Sequence, residues 1–208
     1  MKADLHNHSY YSDGILSPAE VVNIASKAKC DLFSLTDHDT TDGLVEAQLE
    51  ADKVDLNLIS GVEISAFWRN RAIHIIGLGI DVENNILQAG LDFNKEIRKE
   101  RAEKIALGLR RSGIKDSLEK AKEISGGHML TRTHFAQMLI KEGYCKDMKS
   151  VFRRYLTGKK PGGVRAEWKN FDEVIKWIHS AGGKALIAHP FRYQFTHTKI
   201  KQLLFDIL

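Results

Sequence analysis

The sequence predicts an α/β fold of parallel βα units that is interrupted by a helical insertion. Over the first eighty residues, short apolar segments typical of strands alternate with amphipathic helical segments. From about residue 84 to residue 163 the pattern becomes helical and predicts no clear strand. We therefore divide the 208-residue chain into a first barrel part at 1–83, a helical insertion at 84–163 and a second barrel part at 164–208.

The first barrel part carries clear signals for its helices and strands. Strands are predicted at 2–6, 31–36, 56–64 and 72–80. Ser17, Pro18 and Glu20 form the pattern of a capped helix start, which predicts a helix from there to about Lys29. A second helix is predicted from about residue 42 to residue 52. This alternation is typical of parallel sheets, in which active sites gather at the carboxyl ends of the strands.

The insertion begins with a long helix at 85–111 that is dense in Lys, Arg and Glu. We expect its stretch from Asn94 to Arg111 to be a solvated face, stabilised by opposite charges one helical turn apart. Shorter helices are predicted at 117–124, 134–142 and 148–156. The second barrel part is predicted to contain a helix at 170–182, a strand at 184–188 and a final helix from about His197.

The composition is that of a globular protein with an ordinary core. The chain is 43% hydrophobic, and its net charge of +4 suits anionic substrates but is too small to indicate binding to duplex nucleic acid. Two cysteines, Cys30 and Cys145, give no disulfide framework and favour a reducing compartment. The first residues lack the apolar region of a signal peptide, and no apolar stretch is long enough to span a bilayer. We therefore expect a cytoplasmic protein without a membrane partner.

Three short segments together predict a metal site: 4–9 with the sequence DLHNHS, 12–14 with SDG and 36–39 with TDHD. His6 and His8 leave a strand on the same face, so that both imidazoles can reach one point, while Leu5 faces the other way. Imidazole and carboxylate without thiolate is the ligand set of hydrolytic Zn²⁺, Mn²⁺ or Fe²⁺ sites. The candidate ligands lie at or just after predicted strand ends: His6, His8, Asp13, Asp37, His38 and Glu63.

These motifs resemble those of the PHP (polymerase and histidinol phosphatase) family. The resemblance also includes Gly61–Ser65, His74 and Ala188–Pro190, and it covers nearly the whole chain. It implies a distorted (β/α)₇ barrel that holds two or three divalent metal ions. The segment from Arg132 to Phe135 is similar to a motif in the branch with a helical insertion. Members of that branch hydrolyse the 3′-phosphate of nucleoside 3′,5′-bisphosphates, and some trim short RNA from its 5′ end.

The resemblance also implies roles for individual residues. One metal is expected on His6, His8 and Glu63, and Glu63 would bridge to a second metal on His74 and His189. A third metal is expected on Asp13 and His38. Mn²⁺ is the expected ion, with Fe²⁺ and Zn²⁺ as alternatives. The expected nucleophile is a metal-bound hydroxide, and the general acid is not assigned.

Further residues are predicted around the metals. Asp37 is expected to orient His38 by accepting a hydrogen bond, and Asp39 to do the same for the following helix. Arg132 and His134 are expected to hold a second phosphate, with simple helix capping as their alternative. Lys159 and Arg165 are additional candidates for phosphate binding, and a solvated basic loop is the alternative for them.

Two other functions stay open at this point. The first is a C–N hydrolase of the amidohydrolase type, which also uses an HxH pair. The second is a non-catalytic module of the same fold that has lost ligands. The resemblance implies a terminal Asp-x-His motif, and no such motif follows His189. We therefore expect that the C-terminal part of the barrel is missing from this sequence.

Overall fold

The computed structural model describes residues 1–207 and contains two three-stranded sheets. The first sheet is parallel and consists of β1 (Ala3–Asn7), β2 (Leu32–Leu35) and β3 (Asn57–Leu58), in that order. Helices α1 (Pro18–Lys27) and α2 (Leu44–Lys53) connect these strands and pack against each other. This part of the chain has the predicted βα organisation, and α1 begins with the predicted capping box at Ser17.

The second sheet is antiparallel, which corrects the prediction of parallel units for this region. It consists of β4 (Gly61–Trp68), β5 (Arg71–Leu78) and β6 (Lys184–Ile187). Between β4 and β5 the chain reverses at Arg69 and Asn70, which both have positive φ, of 46° and 63°. Two such residues make the tight turn that suits the twist of an antiparallel hairpin.

A short bridge joins the two sheets at the centre of the molecule. His38, just after β2, pairs in parallel with Glu63 on β4. The amide of Asp39 donates to the carbonyl of Glu63 at 2.9 Å, and the amide of Glu63 donates to the carbonyl of Asp37 at 3.1 Å. The bridge places the TDHD segment beside β4.

The complete seven-stranded barrel remains a prediction.

The middle of the chain is helical, and no strand lies between β5 and β6 in the described residues. Its helices are α3 (Asn85–Arg111), α4 (Ser117–Ile124), α5 (Arg132–Lys141) and α6 (Met148–Val151), followed by a π-helical turn at Phe152–Leu156. These bounds confirm the helices predicted at 85–111 and 117–124. The helices share a core of their own, which includes Ile105, Leu109, Phe135 and Leu139.

Helix α7 (Phe171–Ser180) covers the antiparallel sheet together with α3. Gly90 of α3 lies so close to the ring of Trp177 that an added Cβ would be 2.4 Å from it. The chain then forms β6, a 3₁₀ turn at Pro190–Tyr193 and α8 (His197–Ile207). None of the helices in residues 1–207 is both long and apolar enough to cross a bilayer.

The prediction that α3 is solvated from Asn94 to Arg111 is wrong for three of its polar residues. Asn94, Arg98 and Arg101 are buried, with relative exposures of 0%, 4% and 8%. They continue the stripe of Leu87 and Leu91 along the helix, so they face inward for the same geometric reason. Buried polar side chains need partners or a ligand, and these three lie beside the TDHD segment and the central cavity.

Candidate metal centre

The carboxylate of Glu63 lies at the centre of a cluster of five imidazoles. Its side chain is 1% exposed and projects from the middle of the fold on β4. Three ring nitrogens lie 3.1 Å from Oε2, and two more lie 2.9 and 3.0 Å from Oε1. The first set belongs to His6, His8 and His38, and the second set to His74 and His189.

Four different parts of the fold supply these rings. His6 lies in β1 and His8 just after it, and both rings reach the same carboxylate oxygen, as their spacing predicts. His38 is held by the bridge to β4, and His74 lies on β5 opposite Ser65. His189 follows β6 with a φ of 32°, and Pro190 starts the turn after it. The antiparallel sheet, with Glu63, His74 and His189, therefore contributes as many residues to the cluster as the parallel sheet does.

The donor atoms of this cluster fit divalent metal ions. Two groups have ligand atoms within 4.8 Å of one another: His6, Glu63 and His189, and also His8, His38 and Glu63. Within the described residues, Nε2 of His6, Nδ1 of His38 and Oε2 of Glu63 are buried without a hydrogen-bond partner. Buried nitrogen and oxygen lone pairs aimed at one another are costly unless a cation lies between them.

This grouping differs from the one that the resemblance implies. The expected first metal combines His6 with His8, whereas the geometry groups His6 with His189 and His8 with His38. Glu63 belongs to both groups, which is consistent with a bridging carboxylate. Two ions held in this way would share Glu63, as in two-metal hydrolases.

In the metal-free structure, electrostatics favour the metal-binding forms of Glu63 and His38, whereas they favour protonation of His8. Burial raises the pKa of Glu63, but the imidazoles that surround its carboxylate, of His38, His189, His6 and His74, outweigh that effect, and the net pKa is lowered. Burial holds the pKa of His38 well below its ordinary value. Burial lowers the pKa of His8, but the nearby carboxylates of Glu63, Asp13 and Asp37 outweigh that effect, and the net pKa is raised. An ionised Glu63 and a neutral His38 are the forms that bind metal.

Asp13 lies at the edge of the cluster, near His38, with which it is expected to hold a third metal. Its carboxylate oxygens are 3.8 Å from Nδ1 of His8 and 3.9 Å from Nε2 of His38. It also accepts a hydrogen bond from α5, in which Oγ1 of Thr133 donates to Oδ2 of Asp13 at 3.1 Å. The sequence analysis missed Thr133, although it stands within the Arg132–Phe135 motif.

The expected role of Asp37 is wrong in one respect, since its hydrogen bonds do not go to His38. Asp37 accepts from the amide of Ser9 at 2.7 Å, from Oγ of Ser9 at 2.6 Å and from Oγ of Ser12 at 2.6 Å. It thereby fixes the loop after β1. Burial raises its pKa, and these hydrogen bonds oppose that effect.

Asp39 also has a different role from the expected one. It accepts from the amide and hydroxyl of Ser65 and from the side chain of Asn94, at 2.7, 2.8 and 2.7 Å. The Asp39 carboxylate also forms a buried ion pair with Arg98, whose Nε lies 2.6 Å from Oδ2. Burial opposes ionisation, but Arg98 and the hydrogen bonds keep the pKa of Asp39 below its ordinary value. Asp39 therefore connects the bridge, β4 and α3 rather than the helix that follows it.

A cavity of about 680 Å³ opens between the histidine cluster and three arginines of the helical region, and Arg192 of the turn after β6 lines it as well. Arg98 and Arg101 come from α3, and Arg132 comes from the start of α5. The guanidinium carbons of Arg98 and Arg101 lie 5.4 and 5.1 Å from the ring centre of Trp168, which also lines the cavity. Trp168 is buried and packs against these cations.

Two of these arginines lack an anionic partner. Within residues 1–207, neither Arg101 nor Arg132 forms an ion pair with a carboxylate, whereas Arg98 is paired with Asp39. Burial lowers the pKa of Arg101 well below its ordinary value and also lowers the pKa of Arg132, and the charge of Arg98 adds to both effects. A bound anion would offset the cost of burying these cations.

Three of the predicted substrate-binding residues lie away from the central cavity, and two of them make structural contacts. The buried ring of His134 caps α5, since its Nδ1 accepts from the amide of Thr131 at 3.1 Å. Arg165 donates to the carbonyl of Asn70 at 2.8 Å, and Lys159 is exposed in a turn after the π-helical segment. In the described part of the chain, the cavity lining includes Arg132 but not His134, Lys159 or Arg165, so a substrate role for those three stays a prediction.

Comparison with known proteins adds the family. The PHP domain model matches residues 4–204, which is nearly the whole chain. The chain belongs to the PHP domain family. The histidine cluster around Glu63 therefore belongs to a PHP domain, as the sequence motifs predict.

Curated relatives align with almost all of this chain. A 3′,5′-nucleoside bisphosphate phosphatase from Chromobacterium violaceum is 43% identical over 98% of this chain and 72% of its own length. A 5′-3′ exoribonuclease from Haemophilus influenzae is 41% identical over 99% of this chain and 74% of its own length. The exoribonuclease Rnm of Escherichia coli is 39% identical over 97% of this chain and 69% of its own length.

Solved structures show the same fold. A Chromobacterium violaceum protein described as an amidohydrolase with bound sulfate and no metal has a TM-score of 0.95 at 42% identity. The alignment covers 100% of this chain and 73% of that protein. A metal-dependent phosphoesterase candidate from Bifidobacterium adolescentis has a TM-score of 0.88 at 23% identity, over 100% of this chain and 75% of that one, which shows the fold alone.

Proposed function

We propose that this PHP protein removes the 3′-phosphate from nucleoside 3′,5′-bisphosphates and acts on short RNA from its 5′ end. Its reaction class is phosphoester hydrolysis, which the names of the curated relatives share. The observation that carries the proposal is the placement of two unpaired arginines, Arg101 and Arg132, across one cavity from the cluster around Glu63.

A substrate with two phosphates matches both ends of this cavity. The reacting phosphate would lie at the histidine cluster, and the second phosphate would pair with Arg101 and Arg132. Guanidinium groups bind phosphate through paired hydrogen bonds, which also fix its orientation. The arginines favour phosphoester hydrolysis over C–N hydrolysis, because a neutral amide substrate would leave both cations unpaired.

The proposed ligands of two divalent ions are Glu63 and the five imidazoles around it, those of His6, His8, His38, His74 and His189. The proposed site of a third ion is Asp13 with His38. Mn²⁺ is the proposed ion, and the same donors also suit Fe²⁺ and Zn²⁺. Bound ions of this kind polarise water and offset the charge of phosphoryl oxygens. The chain itself provides orientation: Arg101 and Arg132 hold the distal phosphate, and Asp39 keeps Arg98 in place beside them.

Product analysis tests this proposal. The protein, stripped of metal with a chelator and then supplied with Mn²⁺, is incubated with adenosine 3′,5′-bisphosphate, with an aryl phosphate and with a short 5′-phosphorylated RNA. The expected products are adenosine 5′-phosphate from the bisphosphate and 5′-mononucleotides from the RNA. Release of adenosine 3′-phosphate, or equal efficiency on the bisphosphate and the aryl phosphate, would contradict the proposed specificity.

A further inference from the structure

We propose that Thr133 is a positioning residue that orients the carboxylate of Asp13 for metal binding and couples it to the start of α5. This inference rests on the proposed function, in which Asp13 is a metal ligand and Arg132 binds phosphate. Its basis is the 3.1 Å hydrogen bond from Oγ1 of Thr133 to Oδ2 of Asp13. The two residues are 120 positions apart in the sequence, so the contact joins two separate parts of the fold.

Asp13 needs such a partner because its own loop leaves it at the edge of the cluster. The nearest imidazole nitrogens, on His8 and His38, are 3.8 and 3.9 Å away, which is longer than a hydrogen bond. The backbone of the loop itself is closely packed. The amide of Gly14 donates to the carbonyl of Ser9 at 2.9 Å, and a Cβ at Gly14 would be 2.4 Å from the carbonyl oxygen of His8. The backbone thus fixes where Asp13 starts, and the hydroxyl of Thr133 fixes where its carboxylate points.

Thr133 is itself held by the start of α5. Its amide donates to Oγ1 of Thr131 at 3.2 Å, and the amide of Thr131 in turn donates to the ring of His134 at 3.1 Å. These contacts form a reciprocal capping arrangement at the first turn of the helix. The hydroxyl of Thr133 is therefore presented to Asp13 by a well-defined backbone, not by a mobile loop.

The same helical turn carries Arg132, whose side chain also lines the cavity. One turn of α5 thus reaches both ends of the proposed site: Arg132 lines the cavity where the second phosphate is proposed, and Thr133 contacts a proposed metal ligand. A shift of this turn would change both contacts together. Groups that hydrogen-bond a metal ligand typically change metal affinity or activity by about 10- to 100-fold when they are removed.

The test compares Thr133→Val, which keeps the β-branched shape, with Thr133→Ser, which keeps the hydroxyl. Mn²⁺ binding to the chelator-treated protein is measured by calorimetry. Phosphate release from adenosine 3′,5′-bisphosphate is measured in parallel as a function of Mn²⁺ concentration. We expect Thr133→Val to weaken the weakest Mn²⁺ site and to raise the Mn²⁺ concentration for half-maximal rate by about 10- to 100-fold. Thr133→Ser should restore both values.

A second set of variants separates this role from a general effect on folding. In an Asp13→Ala background, Thr133→Val should add no further loss of Mn²⁺ binding, because the hydrogen bond is already absent. Thr133→Ala replaces Thr133→Val if the valine variant lacks a cooperative thermal transition. Unchanged Mn²⁺ binding in the valine or alanine variant, or a serine variant as weak as either, would overturn the proposal. If the parent protein binds Mn²⁺ but hydrolyses no phosphoester, the proposed function fails instead.

Discussion

Arg98 of α3 and Asp39 of the TDHD segment form a buried ion pair at the junction of the two sheets. The distance is 2.6 Å from Nε and 2.5 Å from Nη2 of Arg98 to Oδ2 of Asp39, and the two side chains are 5% and 0% exposed. Asp39 directly follows the proposed ligand His38. The pair thus connects the helical segment to the backbone that carries a metal ligand.

Removing one partner of this pair should strongly destabilise the protein. Arg98→Met leaves the carboxylate of Asp39 buried without its cation, and such a loss typically costs about 3–5 kcal/mol. Urea unfolding of the metal-free protein measures the change. Lys99→Met is the matched control, because Lys99 is exposed and its pair with Glu96 is a surface contact. The control should change the unfolding free energy by about 0–1 kcal/mol. An equal decrease in unfolding free energy in both variants would show that the buried pair stabilises the protein no more than the surface pair does.

The second-phosphate site predicts a selective change in KM. Arg101→Ala and Arg132→Ala each remove a charge-assisted contact worth about 1.5–3 kcal/mol, or roughly 10- to 150-fold in KM for a 3′,5′-bisphosphate. KM for an aryl phosphate should change far less, since that substrate has no second phosphate. Steady-state kinetics on both substrates checks this. Arg153→Ala, which alters an exposed arginine of the same helical segment, is the control. An equal rise in KM for both substrates would contradict the assignment of these arginines to the second phosphate.

His8 should be required for metal binding but not for folding. His8→Ala removes one ring from the group that contains His38 and Glu63, and the remaining donors are then too few for a tight site. Metal analysis after dialysis against Mn²⁺ should show less bound metal, phosphatase activity should be lost, and the thermal transition should stay cooperative. His179→Ala, at an exposed position of α7, should resemble the parent. Near-normal turnover with unchanged metal content in His8→Ala would exclude His8 as a ligand.

The close approach of α3 to the turn at 157–163 predicts an unusual response to alanine. Alanine normally stabilises a helix relative to glycine by about 1 kcal/mol. At Gly108, however, an added Cβ would be 1.8 Å from the carbonyl oxygen of Pro161, so Gly108→Ala should be destabilising. Overpacking of this kind costs about 1–3 kcal/mol. Urea unfolding should show the loss, with Leu107→Ala at a half-exposed neighbouring position as the milder control. A more stable Gly108→Ala protein would mean that the two segments are less closely packed.

Much of the parallel half of the fold could be predicted from local patterns. The capping box at Ser17 marks the start of α1, and the HxH spacing places His6 and His8 on one side of β1. The antiparallel hairpin was missed because apolar strand segments do not encode direction. One signal could have revealed it: only seven residues separate the predicted strands at 56–64 and 72–80. A parallel crossover needs about a dozen or more.

The arginine side of the cavity was missed for a different reason. A charge-dense helix is normally solvated, and burial of Arg98 and Arg101 depends on β4 and the TDHD segment packing against α3. The pattern holds a hint, since Asn94, Arg98 and Arg101 continue the helical spacing of Leu87 and Leu91. Polar residues that interrupt an apolar stripe have to find partners or a ligand. The role of Asp37 could not be predicted, because its partners Ser9 and Ser12 meet it only in the folded chain.

The most direct test of the account is the response of Glu63→Gln to added Mn²⁺. Glutamine keeps the shape of the central side chain but removes the negative charge that all five imidazoles face. Both proteins are stripped of metal, and phosphate release from adenosine 3′,5′-bisphosphate is followed as Mn²⁺ is added. We predict that the parent is inactive without metal and regains activity with Mn²⁺, while Glu63→Gln folds but stays inactive. Activity of the metal-free parent, or recovery of Glu63→Gln to the parental rate, would contradict a metal-dependent phosphoesterase centred on Glu63.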